Sequence, residues 1–176
     1  ACVYGASTLT DNTFTGNKAN GIGGGAYVVD GTLTNNTFTG NTSGDSGGGA
    51  YITRSSTSTA ICTLTDNTFT ENTTSRSGGG VYIYGAHTIT NNIFTGNTAN
   101  TNGGGLCINS NVNATLTNNT LTSNTTDGEG GGVWLAITNN DYSGYLYNNI
   151  IWSNTATTGN DLYINNTGED PFLPVT

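Results

Sequence analysis

The sequence predicts an all-β chain: a parallel β-helix of about six coils, three short strands to a coil, with no significant α-helix. Three observations predict it. The chain repeats itself at intervals of 24 to 31 residues, the range of solenoid repeats. Within each repeat apolar residues alternate with polar ones, the period of a strand. Two asparagines recur in every repeat and a glycine triplet in five of the six, residue types suited to a chain that keeps turning corners.

The coils start at Thr8, Thr32, Thr63, Thr88, Thr115 and Tyr145. The first reads TLTDNTFTGN at 8–17, then GGGAYVV at 23–29. The second repeats it as TLTNNTFTGN at 32–41 and GGGAYIT at 47–53, the third as TLTDNTFTEN at 63–72 and GGGVYIY at 78–84. TITNNIFTGN with GGGLCIN and TLTNNTLTSN with GGGVWLA follow at 88–109 and 115–136. The sixth has drifted to YLYNNIIWSN at 145–154, with Gly159-Asn160-Asp161 in place of the triplet. Cys2-Val3-Tyr4 matches the end of a preceding strand of the GGG-x-Y type. One β-helix domain over 1–176 is expected, with a tail at 167–176, and the chain reads as a mature or excised segment because it opens inside a motif.

On the first strand of each coil Leu9, Leu33, Leu64, Ile89, Leu116 and Leu146 lie between polar or aromatic neighbours and are expected to point inward. Phe14, Phe38, Phe69, Phe94, Leu121 and Ile151 do the same on the second. On the third, pairs such as Ala26 with Val28 and Val81 with Ile83 fill the core. The recurrent Asn12, Asn36, Asn67, Asn92, Asn119 and Asn149, and Asn17, Asn41, Asn72, Asn97, Asn124 and Asn154, fall at the bends. Asparagine tolerates left-handed backbone angles there, and stacked amides can bond along the axis as ladders. The glycine triplets imply positive φ or close backbone approach. A phosphate cradle is the alternative, but no lysine follows them and no helix begins there.

Composition narrows the function. Lysine and arginine total 3 against 11 acids, a net charge of −8, which disfavours phosphate backbones and anionic lipid. Nucleic-acid binding and membrane insertion are excluded on these grounds and on the want of a long apolar run. Threonine supplies 35 positions and asparagine 27, so uncharged polar side chains dominate the surface.

The GGG-x-Y and F-x-x-N words, with T-L-T-x-N-x-F between them, resemble the repeats of bacterial right-handed parallel β-helix proteins. The same two words mark the polymorphic outer-membrane protein repeat of autotransporter passengers. The resemblance runs from Cys2 to about Phe172 and takes in Asn149-Ile150-Ile151-Trp152 and Asp170-Pro171-Phe172 near the close. It implies a right-handed coil and a secreted or cell-surface location. It implies no single function, since such proteins include adhesins, spacers and carbohydrate-active enzymes.

The outward faces therefore carry the functional reading. Thr8 and Thr10, Thr32 and Thr34, Thr63 and Thr65, Thr88 and Thr90, and Thr115 and Thr117 form two unbroken columns, closed by Tyr145 and Tyr147. Hydroxyls are expected about 6.7 Å apart along a strand and about 4.8 Å apart between coils. A second face offers Thr13, Thr15, Thr37, Thr39, Thr68, Thr70, Thr95, Thr120 and Thr122, interrupted by Ile93 and ending in Ile150 and Trp152. Such Thr-x-Thr arrays resemble the ice-binding faces of β-solenoid antifreeze proteins. Threonine holds few rotamers, so its methyl and hydroxyl are pre-positioned at little entropic cost. On a regular lattice the methyls cage and the hydroxyls anchor a first water layer. The plain alternative is that threonine serves strand propensity and solubility.

The expectation is an ice-binding monomer with ice and its ordered water as partner, no enzyme activity and no cofactor. The first face is favoured for its unbroken columns. The alternatives are a surface adhesin or spacer, binding glycan or host protein through the aromatic column Tyr27, Tyr51, Tyr82, Cys107, Trp134 and Tyr163 or the loops at 54–61 and 137–144, and a polysaccharide lyase or hydrolase. In that column, rings on adjacent coils are expected to stack on each other. A lyase needs gathered carboxylates, yet Asp11 and Asp66 lie two coils apart with Asn35 between them, and Asp45 lies three coils from Asp127 and Glu129. A calcium site at Asp127-Gly128-Glu129 is a weak prospect and no metal is expected. Cys2, Cys62 and Cys107 are too far apart to pair, so three free thiols are expected.

Overall fold

The computed structural model describes residues 7–55, 61–85, 87–110, 113–137 and 142–166, with the backbone of 2–3. It is a parallel β-solenoid of five complete coils and a sixth that lacks one strand, preceded by the single strand Cys2–Val3. Among the described residues there is no helix. The tail at 167–176, Tyr4, the Cys2 side chain and much of the two long loops lie outside the described residues.

Four parallel sheets run the length of the solenoid, where the sequence suggested three. The first stacks Thr8–Thr10, Thr32–Thr34, Cys62–Thr65, His87–Thr90, Ala114–Thr117 and Gly144–Tyr147. The second stacks Thr13–Thr15, Thr37–Thr39, Thr68–Thr70, Ile93–Thr95, Thr120–Thr122 and Ile150–Trp152. A seven-stranded sheet holds the segments that follow the glycines, from Cys2–Val3 and Ala26–Val29 through Leu162–Asn166. The unanticipated sheet is built of two-residue strands after the second asparagine: Lys18–Ala19, Thr42–Ser43, Thr73–Thr74, Thr98–Ala99 and Thr125–Thr126. Two residues cannot display an alternation, so pattern alone does not betray them.

Pairing is in register throughout. Leu64 pairs with Leu33 on one side and Ile89 on the other, and Phe69 with Phe38 and Phe94. The expected inward residues form the core, with Leu33, Leu64, Ile89, Phe38, Phe69 and Phe94 sealed from solvent. Phe14, Phe38, Phe69 and Phe94 stack ring on ring at 4.6, 4.7 and 5.0 Å between centroids. Ring stacking adds about 0.5–1.5 kcal/mol per pair to the gain from burial.

The asparagines behave as ladders. Asn67 takes its backbone N–H and its Nδ2 to Asn92 Oδ1, at 2.9 and 3.1 Å, and also donates from Nδ2 to Leu33 O one coil back. The second ladder runs the same way, Asn72 to Asn97 Oδ1 at 3.0 Å twice. One expectation needs correction: the asparagines do not carry the left-handed angle. Positive φ falls on the residue before each one, Asp11, Asn35, Asp66, Asn91, Asn118 and Asn148 in the first column. In the second it falls on Gly16, Gly40, Glu71, Gly96, Ser123 and Ser153. The outward residue takes the strained corner, which turns the asparagine side chain into the core where its amide must be paired.

The glycine triplets divide their work. The first has positive φ, as at Gly78, φ 74°. A Cβ on the second, Gly79, would lie 2.2 Å from Gly104 O of the next coil. A Cβ on the third, Gly80, would meet Gly105 O at 2.6 Å. Close stacking of backbones thus forbids any side chain at those positions.

Candidate functional site

The first threonine face is positioned by the inward Leu and Ile column beneath it. Because every inward side chain is in register, so are the outward ones on either side of it. Thr8 pairs with Thr32, Thr32 with Thr63, Thr63 with Thr88 and Thr88 with Thr115. The parallel column runs Thr10, Thr34, Thr65, Thr90 and Thr117. Both then meet the sixth coil, at Tyr145 and Tyr147, whose rings lie 6.3 Å apart and 10° from parallel.

Threonines of coils two to five are half-buried by their neighbours in the array, while Thr8 and Thr10 at the open edge are exposed. Among the described residues no hydrogen bond engages any of the ten hydroxyls. Hydroxyls elsewhere do pair, Ser43 with Thr74 at 2.8 Å and Ser77 with Thr101 at 2.7 Å. The face thus presents an uncharged lattice whose donors and acceptors are left to water.

The second face is also in register, Thr13, Thr37 and Thr68 leading to Ile93, then Thr120. Its other column, Thr15, Thr39, Thr70, Thr95 and Thr122, is complete. Ile93 is 46% exposed, and the sixth coil ends the face with Ile150 and Trp152, 61% and 69% exposed. Apolar side chains thus break the hydroxyl lattice here and leave the first face intact.

The aromatic column stacks only in part, with Cys107 standing between Tyr82 and Trp134. Tyr51 and Tyr82 lie 4.9 Å apart and 13° from parallel, and Tyr27 meets Tyr51 edge-on at 5.7 Å. Burial first, then the neighbouring tyrosines, pushes the Tyr51 hydroxyl up to about 12. Trp134 donates from Nε1 to Glu129 Oε2 at 3.0 Å. Cys107 is buried within this column and Cys62 points into the core, both as free thiols, and burial raises both well above the usual thiol range.

Acidic residues remain dispersed. Asp11 accepts from Asn35 Nδ2 at 2.6 Å, so the asparagine between the two aspartates serves as a donor. Among the described residues no three His, Cys, Asp or Glu side chains gather about one point. No described helix is long and apolar enough to cross a membrane. One residue the sequence left without a role is His87. It is buried in the inward column next to Cys62, with Nε2 unpartnered, and desolvation lowers its pKa to about 4. Its place at the start of a strand, one residue ahead of the threonine column, is the signal that marks it as inward-facing.

Residues 68–84 match the Chlamydia polymorphic membrane protein repeat. That stretch runs from the second threonine strand of the third coil through its glycines to Tyr84. No curated protein and no solved structure matches the chain.

Proposed function

We propose that this chain binds ice, through ordered water held on the first threonine face. The observation that carries the reading is the pair of columns in register, five threonines each, with hydroxyls unspent on protein. β-branched side chains on a rigid sheet keep their methyl and hydroxyl in place before any contact is made, so adsorption loses little entropy. Many weak contacts acting together then suffice to hold a crystal surface. Charged side chains, which orient water otherwise, are missing from this face. Secretion or surface display accords with this reading and with the matched repeat, and a single copy presents the whole array.

The test is thermal hysteresis and inhibition of ice recrystallisation by the purified protein. Activity is expected in the parent and lost in Thr65→Tyr and Thr90→Tyr, with the far-UV spectrum unchanged. A parent that freezes like buffer overturns the reading.

A second reading, a surface adhesin or spacer, has the repeat match at 68–84 in its favour. It predicts attachment to glycan or host protein that is indifferent to the same two threonine changes.

A further inference from the structure

We propose a saccharide-binding groove away from the threonine face, built from the two residues that precede the glycine triplet in three successive coils. Inward apolar side chains, ladder asparagines and glycines under the next coil are committed to the architecture. The dipeptide before the triplet is not. It reads Asp45-Ser46, Arg76-Ser77 and Thr101-Asn102 in coils two, three and four.

Stacking brings these dipeptides together although 25 to 31 residues separate them in sequence. They line one recess of about 470 Å³ together with Tyr51 and Tyr82. Arg76 Nη1 reaches Asp45 Oδ1 at 3.5 Å in an ion pair. Ser46 Oγ donates to the same carboxylate oxygen at 3.1 Å, and the Ser77 and Thr101 hydroxyls share a hydrogen bond at 2.7 Å. Backbone bonds from Arg76 N to Asp45 O and from Thr101 N to Arg76 O fix the three dipeptides in one ladder.

This chemistry suits a neutral sugar. A carboxylate beside a guanidinium accepts and donates at adjacent points, which is what a pair of vicinal hydroxyls requires. Serine, threonine and asparagine add neutral donors and acceptors, and the tyrosines supply apolar ring edges with hydroxyl tips. The rings stack on each other, with Tyr27 against Tyr51 and Cys107 paired beyond Tyr82, so the ligand contacts them from the side. The dipeptides recur at about 4.8 Å along the axis, close to the length of one pyranose unit in an extended chain, so an oligosaccharide lying along the solenoid presents one sugar per coil. An anionic sugar is disfavoured, because Arg76 is the only cation in the recess and the chain carries −8. Asp45, the one acid lining it, is already paired with Arg76 and so leaves no free carboxylate for a cationic one. This site is separate from the threonine face and does not rest on it.

The experiment is calorimetric titration of the intact protein with the neutral hexasaccharides of cellulose, chitin, laminarin and mannan, with the matching disaccharides and with polygalacturonate. Binding of at least one neutral hexasaccharide is expected, at least tenfold tighter than its disaccharide. It should weaken about tenfold or more in Arg76→Ala and in Asp45→Asn, the loss expected for a charge-assisted hydrogen bond. Thr65→Tyr, on the other face, should bind like the parent. Circular dichroism checks that each variant is folded, and Ser77→Ala, which removes the groove hydroxyl bonded to Thr101, is expected to weaken binding as well and serves should Arg76→Ala unfold. No binding by any neutral hexasaccharide at millimolar concentration overturns the proposal. So does binding that survives both groove substitutions, or a preference for polygalacturonate.

Discussion

Asp161 holds toward Asn154 the position that Asn154 holds toward Asn124. Asn124 donates its backbone N–H and its Nδ2 to Asn154 Oδ1, both at 2.9 Å. Asn154 in turn donates the same two groups to Asp161 Oδ1, at 3.1 and 2.9 Å. The ladder therefore ends on a carboxylate supplied seven residues later in the same coil. Asp161 stands where earlier coils have the third glycine, a position open to a side chain because no described coil is stacked against it.

Removing that carboxylate leaves the backbone N–H of Asn154, a residue 5% exposed, without its acceptor, while its Nδ2 keeps Leu121 O and Trp152 O. Asp161→Ala is expected to lower stability by about 1–3 kcal/mol, read as a shift in the urea midpoint. Asp161→Asn, which keeps an Oδ1, should retain most of it.

An interior rung matters more. Asn97 is sealed from solvent, accepts two bonds from Asn72 and donates to Phe69 O and Asn124 Oδ1. Asn97→Ala abandons partners on both adjacent coils and is expected to cost about 3–5 kcal/mol, non-additive with other rungs. A midpoint unchanged by this variant would mean that the ladder is incidental to stability.

Glycine at the second triplet position is required only under another coil. Gly79→Ala places a Cβ 2.2 Å from Gly104 O, against backbone that cannot yield, and soluble folded protein is expected to be lost or its Tm sharply lowered. At the equivalent place in the sixth coil the chain already carries Asn160, and Asn160→Gly should leave the Tm within a few degrees of the parent.

His87 makes stability depend on pH. Its pKa is about 4 folded against 6.5 for the free side chain, chiefly because burial disfavours the imidazolium. The unfolded chain therefore binds the proton first. The neutral-histidine contribution is complete above pH 6.5, declines as pH falls from 6.5 to 4 and is gone below. Over that window stability should fall by about 3 kcal/mol. In His87→Ala, the residue that Ala114 supplies at the same register position, this part of the pH dependence should vanish in urea titrations.

The two threonine faces are separable. Thr70→Tyr crowds the second, already interrupted by Ile93, and is expected to reduce thermal hysteresis far less than Thr65→Tyr or Thr90→Tyr. Equal losses from Thr70→Tyr and Thr65→Tyr would assign the activity to both faces.

The sequence alone determined the coil starts, the inward columns, the threonine columns and the glycine bends. Each follows from a local period of two and from repetition, and parallel strands with one buried face have only one register that keeps Leu64 over Leu33 and Phe69 over Phe38. It also placed the asparagines in ladders, though it assigned them the left-handed angle that Asp66 and Glu71 carry instead.

Tertiary structure decided what depends on the neighbouring coil rather than on the local pattern. The two-residue strands such as Thr73–Thr74 exist only because Thr42–Ser43 and Thr98–Ala99 flank them. The closure of a ladder by Asp161 and the meeting of Asp45 with Arg76 belong to the same class. Each arises from a contact between residues whose own segments carry no alternation, so only the stacking of one coil on the next brings it about.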